Sequence, residues 1–138
     1  MKKHKYELVL KFVQLNGFKE FKETDPSLFS KDGVSTLSLE IDNGKNIPVT
    51  MEDARRACQM FLDNKLTLNQ LQQWGEWIHM MDFFDLIPNG EAPDYDESLI
   101  NALTDIDNID LVEKNKARDY VSNIQSSIDD WLRKHQSQ

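Results

Sequence analysis

A chain of 138 residues with 39% hydrophobic and 29% charged side chains is long enough for one domain with its own core and too short for an enzyme with a separate cofactor lobe. The 24 acidic and 16 basic residues give a net charge of −8. This charge disfavours direct binding to nucleic acid, because phosphate backbones are held by Lys and Arg. The single cysteine, Cys58, excludes an intrachain disulfide and a thiolate zinc cage, which fits a reducing cytoplasm.

The amino-terminal segment lacks the pattern of an export signal. Glu7, Lys11 and Gln14 interrupt its apolar residues, and no cleavage motif of small residues follows. No apolar run in the chain approaches the roughly 20 residues that a membrane span requires. The sequence therefore predicts a soluble, cytoplasmic protein without a membrane partner.

The first 49 residues predict a helix and a small β element. Residues 5–15 fit either a helix or a strand, because their apolar positions suit both periodicities, and we predict a helix. Residues 34–41 alternate apolar and polar side chains, which predicts a strand. Asn43-Gly44 is typical of a type I′ turn and favours a small hairpin between this strand and residues 45–49.

Two capping boxes mark the starts of the next helices. Thr50 and Asp53 predict a helix over residues 51–63, which Asn64 ends in a left-handed conformation. Thr67 and Gln70 predict a second helix over residues 68–82. The apolar side chains of the two helices recur at helical spacing: Ala54, Ala57, Cys58, Phe61 and Leu62 in the first, and Leu71, Trp74, Ile78 and Met81 in the second.

Trp74 and Trp77 stand differently on the second of these helices. Trp74 belongs to the apolar stripe and is predicted to lie in the core. Trp77 lies about 90° round the helix from the middle of this stripe, on the edge between the stripe and solvent. Its indole could either flank the core or face a partner, and both interpretations stay open.

A loop with Pro88, Asn89-Gly90 and Pro93 follows, and then a predicted helix over residues 96–104. Asp110 is the predicted N-cap of a long last helix that ends near Lys134. Its stripe consists of Ala117, Val121, Ile124, Ile128 and Trp131. The sequence thus predicts a mainly α single domain: an antiparallel bundle of about four helices in residues 50–138, with the small β element in residues 1–49.

Charge is distributed unevenly along the chain. Residues 1–49 carry 8 bases and 7 acids, whereas residues 50–138 carry 8 bases and 17 acids. No Lys or Arg stands between Lys65 and Lys114, although a solvated helix face normally mixes charges. We predict that this stretch binds a basic partner through Glu76, Trp77, Asp82, Asp85, Glu91, Asp94, Asp96 and Glu97. The alternative is that the acidity only keeps the bundle soluble.

No pattern in the chain predicts catalysis, a metal or a cofactor. Glu76 and His79 have the E-x-x-H spacing of di-iron bundles, but such a site needs a second copy of the motif, which the chain lacks. A calcium loop starting at Asp105 would need Gly in place of Asp110 and Glu in place of Lys116. Cys58 lies on an apolar stripe, where a cysteine is usually an inert small hydrophobe. We predict a protein that is not an enzyme.

Residues 61–77 resemble a pattern found in small bacterial immunity proteins of the colicin D type. In that pattern a Lys-hydrophobic-Thr corner precedes a helix with Leu and Trp followed by a small residue. The matching positions are Lys65-Leu66-Thr67, Leu71, Trp74 and Gly75, with Asp82 and Asp85 where acidic residues commonly follow. The resemblance covers about residues 50–130. The chain departs from the family in its longer amino-terminal part and in Leu103-Thr104-Asp105, which replaces a Leu-Ala-Asn-Pro-like stretch.

The resemblance implies a cytoplasmic helical protein that blocks the catalytic domain of a toxin delivered by a bacteriocin or by contact-dependent competition. The charge is compatible with this function, because a nuclease toxin must be basic to hold its substrate. Two other classes remain open: an acidic regulatory adaptor that binds a basic protein, and a small hydrolase that uses carboxylates.

Overall fold

The computed structural model describes residues 3–4, 6–15, 40–41, 45–80, 84–86 and 97–136. This part of the chain is mainly α-helical, as predicted. The helices are α1 (Tyr6–Val13), α2 (Met51–Leu62), α3 (Leu68–Met80), α4 (Ser98–Asp107) and α5 (Ala117–Gln136). The strands are β1 (Lys3–His4), β2 (Glu40–Ile41), β3 (Ile47–Val49) and β4 (Phe84–Leu86). Within these residues no helix is both long and apolar enough to cross a membrane.

The helices pack as a bundle around one core. The closest packing joins α3 to α4 and α2 to α5. Each helix turns an apolar stripe inward, and α1 and β3 add further buried side chains. The largest fully buried side chains include Phe12, Ile47, Leu71, Trp74, Leu99, Leu103, Ile106 and Ile128. The predicted core position of Trp74 is confirmed, and the bundle gives a continuous apolar interior.

Local hydrogen bonds confirm the predicted starts of α2 and α3, whereas the predicted end of the second helix at residue 82 lies outside the described residues. The Thr50 amide donates to Asp53 Oδ2 at 3.0 Å, and the Asp53 amide donates to Thr50 Oγ1 at 3.4 Å. The Thr67 amide donates to Gln70 Oε1 at 2.9 Å, and the Gln70 amide donates to Thr67 Oγ1 at 3.1 Å. Asn64 has a φ of 63°, the left-handed conformation predicted for it. Both helix starts therefore satisfy amide groups that have no partner within the helix.

Arg118, at the start of α5, reaches back to the end of α2. Its Nη2 donates to the Leu62 carbonyl oxygen at 2.7 Å, and its Nη1 donates to Asn64 Oδ1 at 3.3 Å. The last carbonyl groups of a helix lack partners inside it, and a cation also complements the helix dipole there. Arg118 thus caps α2 and joins it to α5.

The strands pair differently from the prediction. β3 is parallel to β4, with Ile47 opposite Phe84 and Val49 opposite Leu86, and β2 is parallel to β1. The predicted hairpin between residues 34–41 and 45–49 is therefore wrong, because β2 and β3 belong to different two-stranded sheets. The predicted turn and most of the predicted first strand, residues 34–39, lie outside the described residues.

The burial of β3 explains this pairing. Ile47 and Val49 are fully buried, whereas Pro48 between them is exposed. β3 is thus one face of the core, and the chain that returns after α3 supplies its neighbour β4. A turn signal such as Asn43-Gly44 predicts pairing only between strands that are adjacent in sequence. It gives no information about β4, which is separated from β3 by α2 and α3.

The start of α5 also differs from the prediction. Asp110 is not its N-cap but lies in a 3₁₀ turn, Asn108–Leu111, and a second such turn, Lys114–Lys116, precedes α5. The Ile109 side chain is fully buried and holds the first turn against the core. The apolar stripe of α5 begins only at Ala117, so the chain makes two short turns before the helix can start.

Gly75 allows α3 and α4 to approach closely. A methyl group at this position would lie 2.6 Å from Ile106 Cγ2 and 3.3 Å from the Asp107 backbone nitrogen. Because this approach is so close, the overpacking in Gly75→Ala should cost about 2–3 kcal/mol, and the higher helix propensity of Ala should return about 1 kcal/mol. We expect a net loss of about 1–2 kcal/mol in the free energy of unfolding, measured with urea. Asn69→Ala, on the exposed side of the same helix, is the control and should be close to neutral. A Gly75→Ala variant as stable as the native chain would contradict this packing.

Candidate functional site

The exposed side of residues 97–113 forms an acidic surface, which we call the acidic face. It includes the exposed side chains of Glu97, Ile100, Asn101, Asp105, Asn108, Asp110, Leu111 and Glu113. The opposite side of the same segment is apolar, and Leu99, Leu103, Ile106 and Ile109 are fully buried. Because the buried residues recur every three or four positions, α4 has one side in the core and the other in solvent. The acidic face therefore lies on α4 and on the 3₁₀ turn that follows it, both of which are packed against the core.

A hydrogen bond from α5 holds the carboxyl-terminal half of α4. The Tyr120 hydroxyl donates to the Asp105 carbonyl oxygen at 2.7 Å. Burial raises the pKa of the Tyr120 phenol, and the Asp105 carboxylate raises it further, because both disfavour the phenolate. The phenol therefore stays a hydrogen-bond donor at neutral pH and fixes the backbone from which Asp105 projects.

Charge at the end of the acidic face is only weakly compensated. The Lys116 Nζ lies 3.7 Å from Glu113 Oε2, and both side chains are largely exposed. An exposed pair of this kind contributes little stability and is easily exchanged for another partner. Asp105 and Asp110 are exposed as well. The acidic face can therefore present carboxylates to a basic surface without breaking a buried ion pair.

Glu76, a predicted partner-binding residue, belongs to a polar cluster between α3 and α4. The Gln72 side-chain amide donates to Glu76 Oε2 at 3.1 Å and to Asp107 Oδ1 at 3.0 Å. His79 Nδ1 lies 3.5 Å from Asp107 Oδ2, an ion pair when the imidazole is protonated. Sequence reasoning missed Gln72 and Asp107. The spacing of Gln72 and Glu76 is that of a helix pair, but the position of Asp107 depends on how α4 packs.

Glu76 and His79, the pair with di-iron spacing, have other partners in the part of the chain that the structure describes. Among the residues that the structure describes, no group of three or more His, Cys, Asp or Glu side chains could hold a metal ion. The carboxylate and the imidazole instead take part in contacts that join α3 to α4.

Cys58 is buried, as predicted. Burial raises the pKa of its thiol to about 12, the nearby Asp129 carboxylate raises it as well, and Arg55 opposes the shift. The thiol is thus protonated at neutral pH, whereas a nucleophile or a metal ligand would have to be a thiolate.

Trp77 is part of the core and not of the acidic face. Its side chain is only 4% exposed, and its ring contacts Phe12 edge to face, with centroids 6.0 Å apart. On the neighbouring turn, Trp74 Nε1 donates to the Val13 carbonyl oxygen at 3.2 Å. Helix α1 therefore covers the side of α3 that carries Trp77, whose burial the periodicity of α3 did not decide. The prediction that Trp77 faces a partner is wrong, and the alternative that it flanks the core is confirmed.

The other predicted binding residues are described only in part. Glu97 is exposed next to the start of α4. Asp85 lies in β4, where its backbone is opposite Pro48. Asp82, Glu91, Asp94 and Asp96 lie outside the described residues, as does the predicted loop from Pro88 to Pro93. The structure therefore places Glu97 on the acidic face and adds Asp105 and Asp110 to it.

Two large apolar side chains lie on the acidic face. Ile100 is 41% exposed and Leu111 is 81% exposed. Sequence reasoning missed both. Leu111 follows Ile106 by five positions and Ile109 by two, so it falls outside the stripe formed by those two residues. That offset is the feature of the sequence that could have identified it.

An open groove of about 690 Å³ lies on another part of the surface, between α2 and α5. Arg55 Nε donates to Asp129 Oδ1 at 2.6 Å, and Arg133 pairs with Asp130. Three acids and two bases line the groove, and four of these side chains pair with one another, so the groove has a smaller excess of negative charge than the acidic face. The acidic face is the better candidate for recognition.

A comparison with protein-family models, with curated proteins and with solved structures finds no match to this chain. The resemblance to colicin D-type immunity proteins therefore stays a prediction from the sequence.

Proposed function

We propose that this chain is an immunity protein that binds and neutralises a cognate bacterial toxin domain, a nuclease, in the cytoplasm. The observation that carries the proposal is the acidic face, which lies on α4 and the packed turn after it, inside a stretch of 48 residues without Lys or Arg. The sequence resemblance of residues 50–130 supports the same class.

The acidic face can attract a basic protein partner, which goes beyond keeping the chain soluble. A nuclease domain carries a basic cleft that attracts phosphates, and a row of carboxylates attracts such a cleft in the same way. Complementary charge can raise association rate constants to about 10⁸–10⁹ per molar per second at low salt. An inhibitor that must capture a toxin before it reaches its substrate benefits directly from rapid association.

Growth protection tests the proposed function. The probe is the carboxy-terminal domain of the large toxin whose gene we expect directly upstream of the gene for this chain. That domain alone should arrest a bacterial host, and co-expression of this chain should restore growth. Continued arrest with both proteins present at comparable levels would overturn the immunity proposal. Tight binding without protection would instead favour the acidic adaptor.

Salt dependence tests the mechanism with the same two purified proteins. Raising the salt concentration from about 0.05 to about 0.5 M shortens the Debye length from about 14 to about 4 Å. The association rate constant, measured by stopped flow, should fall at least about tenfold, whereas dissociation should change less. An association rate that is constant across this range would refute electrostatic recognition.

A further inference from the structure

Leu111 is presented to solvent on a fixed backbone. The neighbouring Ile109 side chain is fully buried, and the Val112 amide donates to the Ile109 carbonyl oxygen at 3.1 Å. Both contacts hold the 3₁₀ turn on which Leu111 lies. A side chain on such a turn needs little additional ordering when a partner covers it, which favours binding.

The charged residues near Leu111 indicate which kind of protein surface could bind there. Asp110 and Glu113 are exposed on either side of it in the sequence, and Asp105 is exposed on the preceding helix. A second copy of this chain would bring two acidic faces together, and like charges in contact are unfavourable. A basic protein surface with an apolar side chain at its centre matches both the charge and the exposed leucine.

We infer that Leu111 is the apolar anchor by which the acidic face holds a basic protein partner, an inference that rests on the proposed function. Carboxylates at the rim mainly set the rate of association, whereas a buried apolar contact mainly sets the rate of dissociation. Ile100, the other exposed apolar side chain of the acidic face, gives a second contact on α4. Together the two would keep a complex bound at salt concentrations that weaken its charge attraction.

Two synthetic peptides of equal length and equal Lys content test the anchor. One is an amphipathic helix of Leu and Lys, and the other carries Ser in place of every Leu. Titration calorimetry should show the Leu–Lys peptide binding the native chain at least about tenfold more tightly, because only this peptide can cover Leu111. Leu111→Ser should remove most of that difference and leave only the part that Ile100 contributes. Leu111→Met should keep the full difference, and so should Asn115→Ser, which changes an exposed residue of the next turn.

The outcomes separate the anchor from the proposed function. If Leu111→Ser binds the Leu–Lys peptide as the native chain does, the anchor is refuted, while salt-sensitive binding of both peptides would leave the proposed function standing. If neither peptide binds, the anchor is refuted as well, and the growth-protection experiment alone decides the proposed function. In methyl spectra of the native chain, the Leu111 signals should shift on addition of the Leu–Lys peptide, whereas those of the buried Leu103 should not. Shifts at Leu103 alone would also overturn the anchor.

Discussion

Replacing Trp77 by alanine is expected to lower the free energy of unfolding by about 3–5 kcal/mol, because it leaves a large cavity at the contact between α1 and α3. The side chain is 4% exposed and meets Phe12 edge to face. Urea unfolding followed by circular dichroism measures the loss, and the midpoint should fall in proportion to it.

A double-mutant cycle with Phe12→Ala separates the ring contact from general loss of packing. The two aromatic side chains should show a coupling of about 0.5–1.5 kcal/mol. Asn69→Ala, on the exposed side of the same helix, serves as the control and should change stability by about 0.5 kcal/mol or less. A Trp77→Ala chain with native stability would restore the interpretation that the indole faces a partner.

Charge reversal at Asp105 and Asp110 together is expected to weaken binding of the toxin domain by about 3 kcal/mol, which is more than 100-fold. Each change puts a Lys opposite the basic surface of the partner in place of a carboxylate, and like charges across an interface cost several kcal/mol. Both positions are exposed, so each reversal should change the free energy of unfolding by only about 0.5 kcal/mol. Calorimetry with the purified toxin domain measures the change in affinity.

Asp63→Lys combined with Asp130→Lys is the matched control, since it changes the net charge equally at positions outside the acidic face. Asp63 ends α2, and Asp130 lies on α5 beside Arg133. Asp129 is less suitable, because its carboxylate bonds Arg55 at 2.6 Å and joins α5 to α2. Equal losses from the two double variants would mean that only net charge matters and that the acidic face is not the site.

The sequence predicted those parts of the fold that depend on neighbours along the chain. The capping pairs at Thr50 and Thr67 and the left-handed Asn64 are local hydrogen-bonding and backbone preferences. They fix the helix ends wherever the helix packs. The burial of Trp74 followed in the same way, from its place in the centre of an apolar stripe.

The features that the sequence did not predict depend on segments that are distant along the chain. Trp77 is buried because α1 covers it, and the periodicity of α3 carries no information about α1. β3 pairs with a strand beyond two helices, so the turn pattern next to it was uninformative. At the candidate site, clustered acids could be seen in the sequence. The exposure of Leu111 could not, because it depends on the 3₁₀ turn that Ile109 pins to the core.

The parallel pairing of β3 with β4 has a consequence for how the chain folds. Parallel strands cannot be joined by a tight turn, and here the connection consists of α2 and α3. The strands can meet only after the intervening chain has become compact, so the entropy of closing that long loop opposes their early formation. We therefore expect the helices to form first. β3, which contains Ile47 and Val49, should pair with β4 late in folding. The backbone amides of β3 should then become protected from hydrogen exchange only after α2 and α3 have packed.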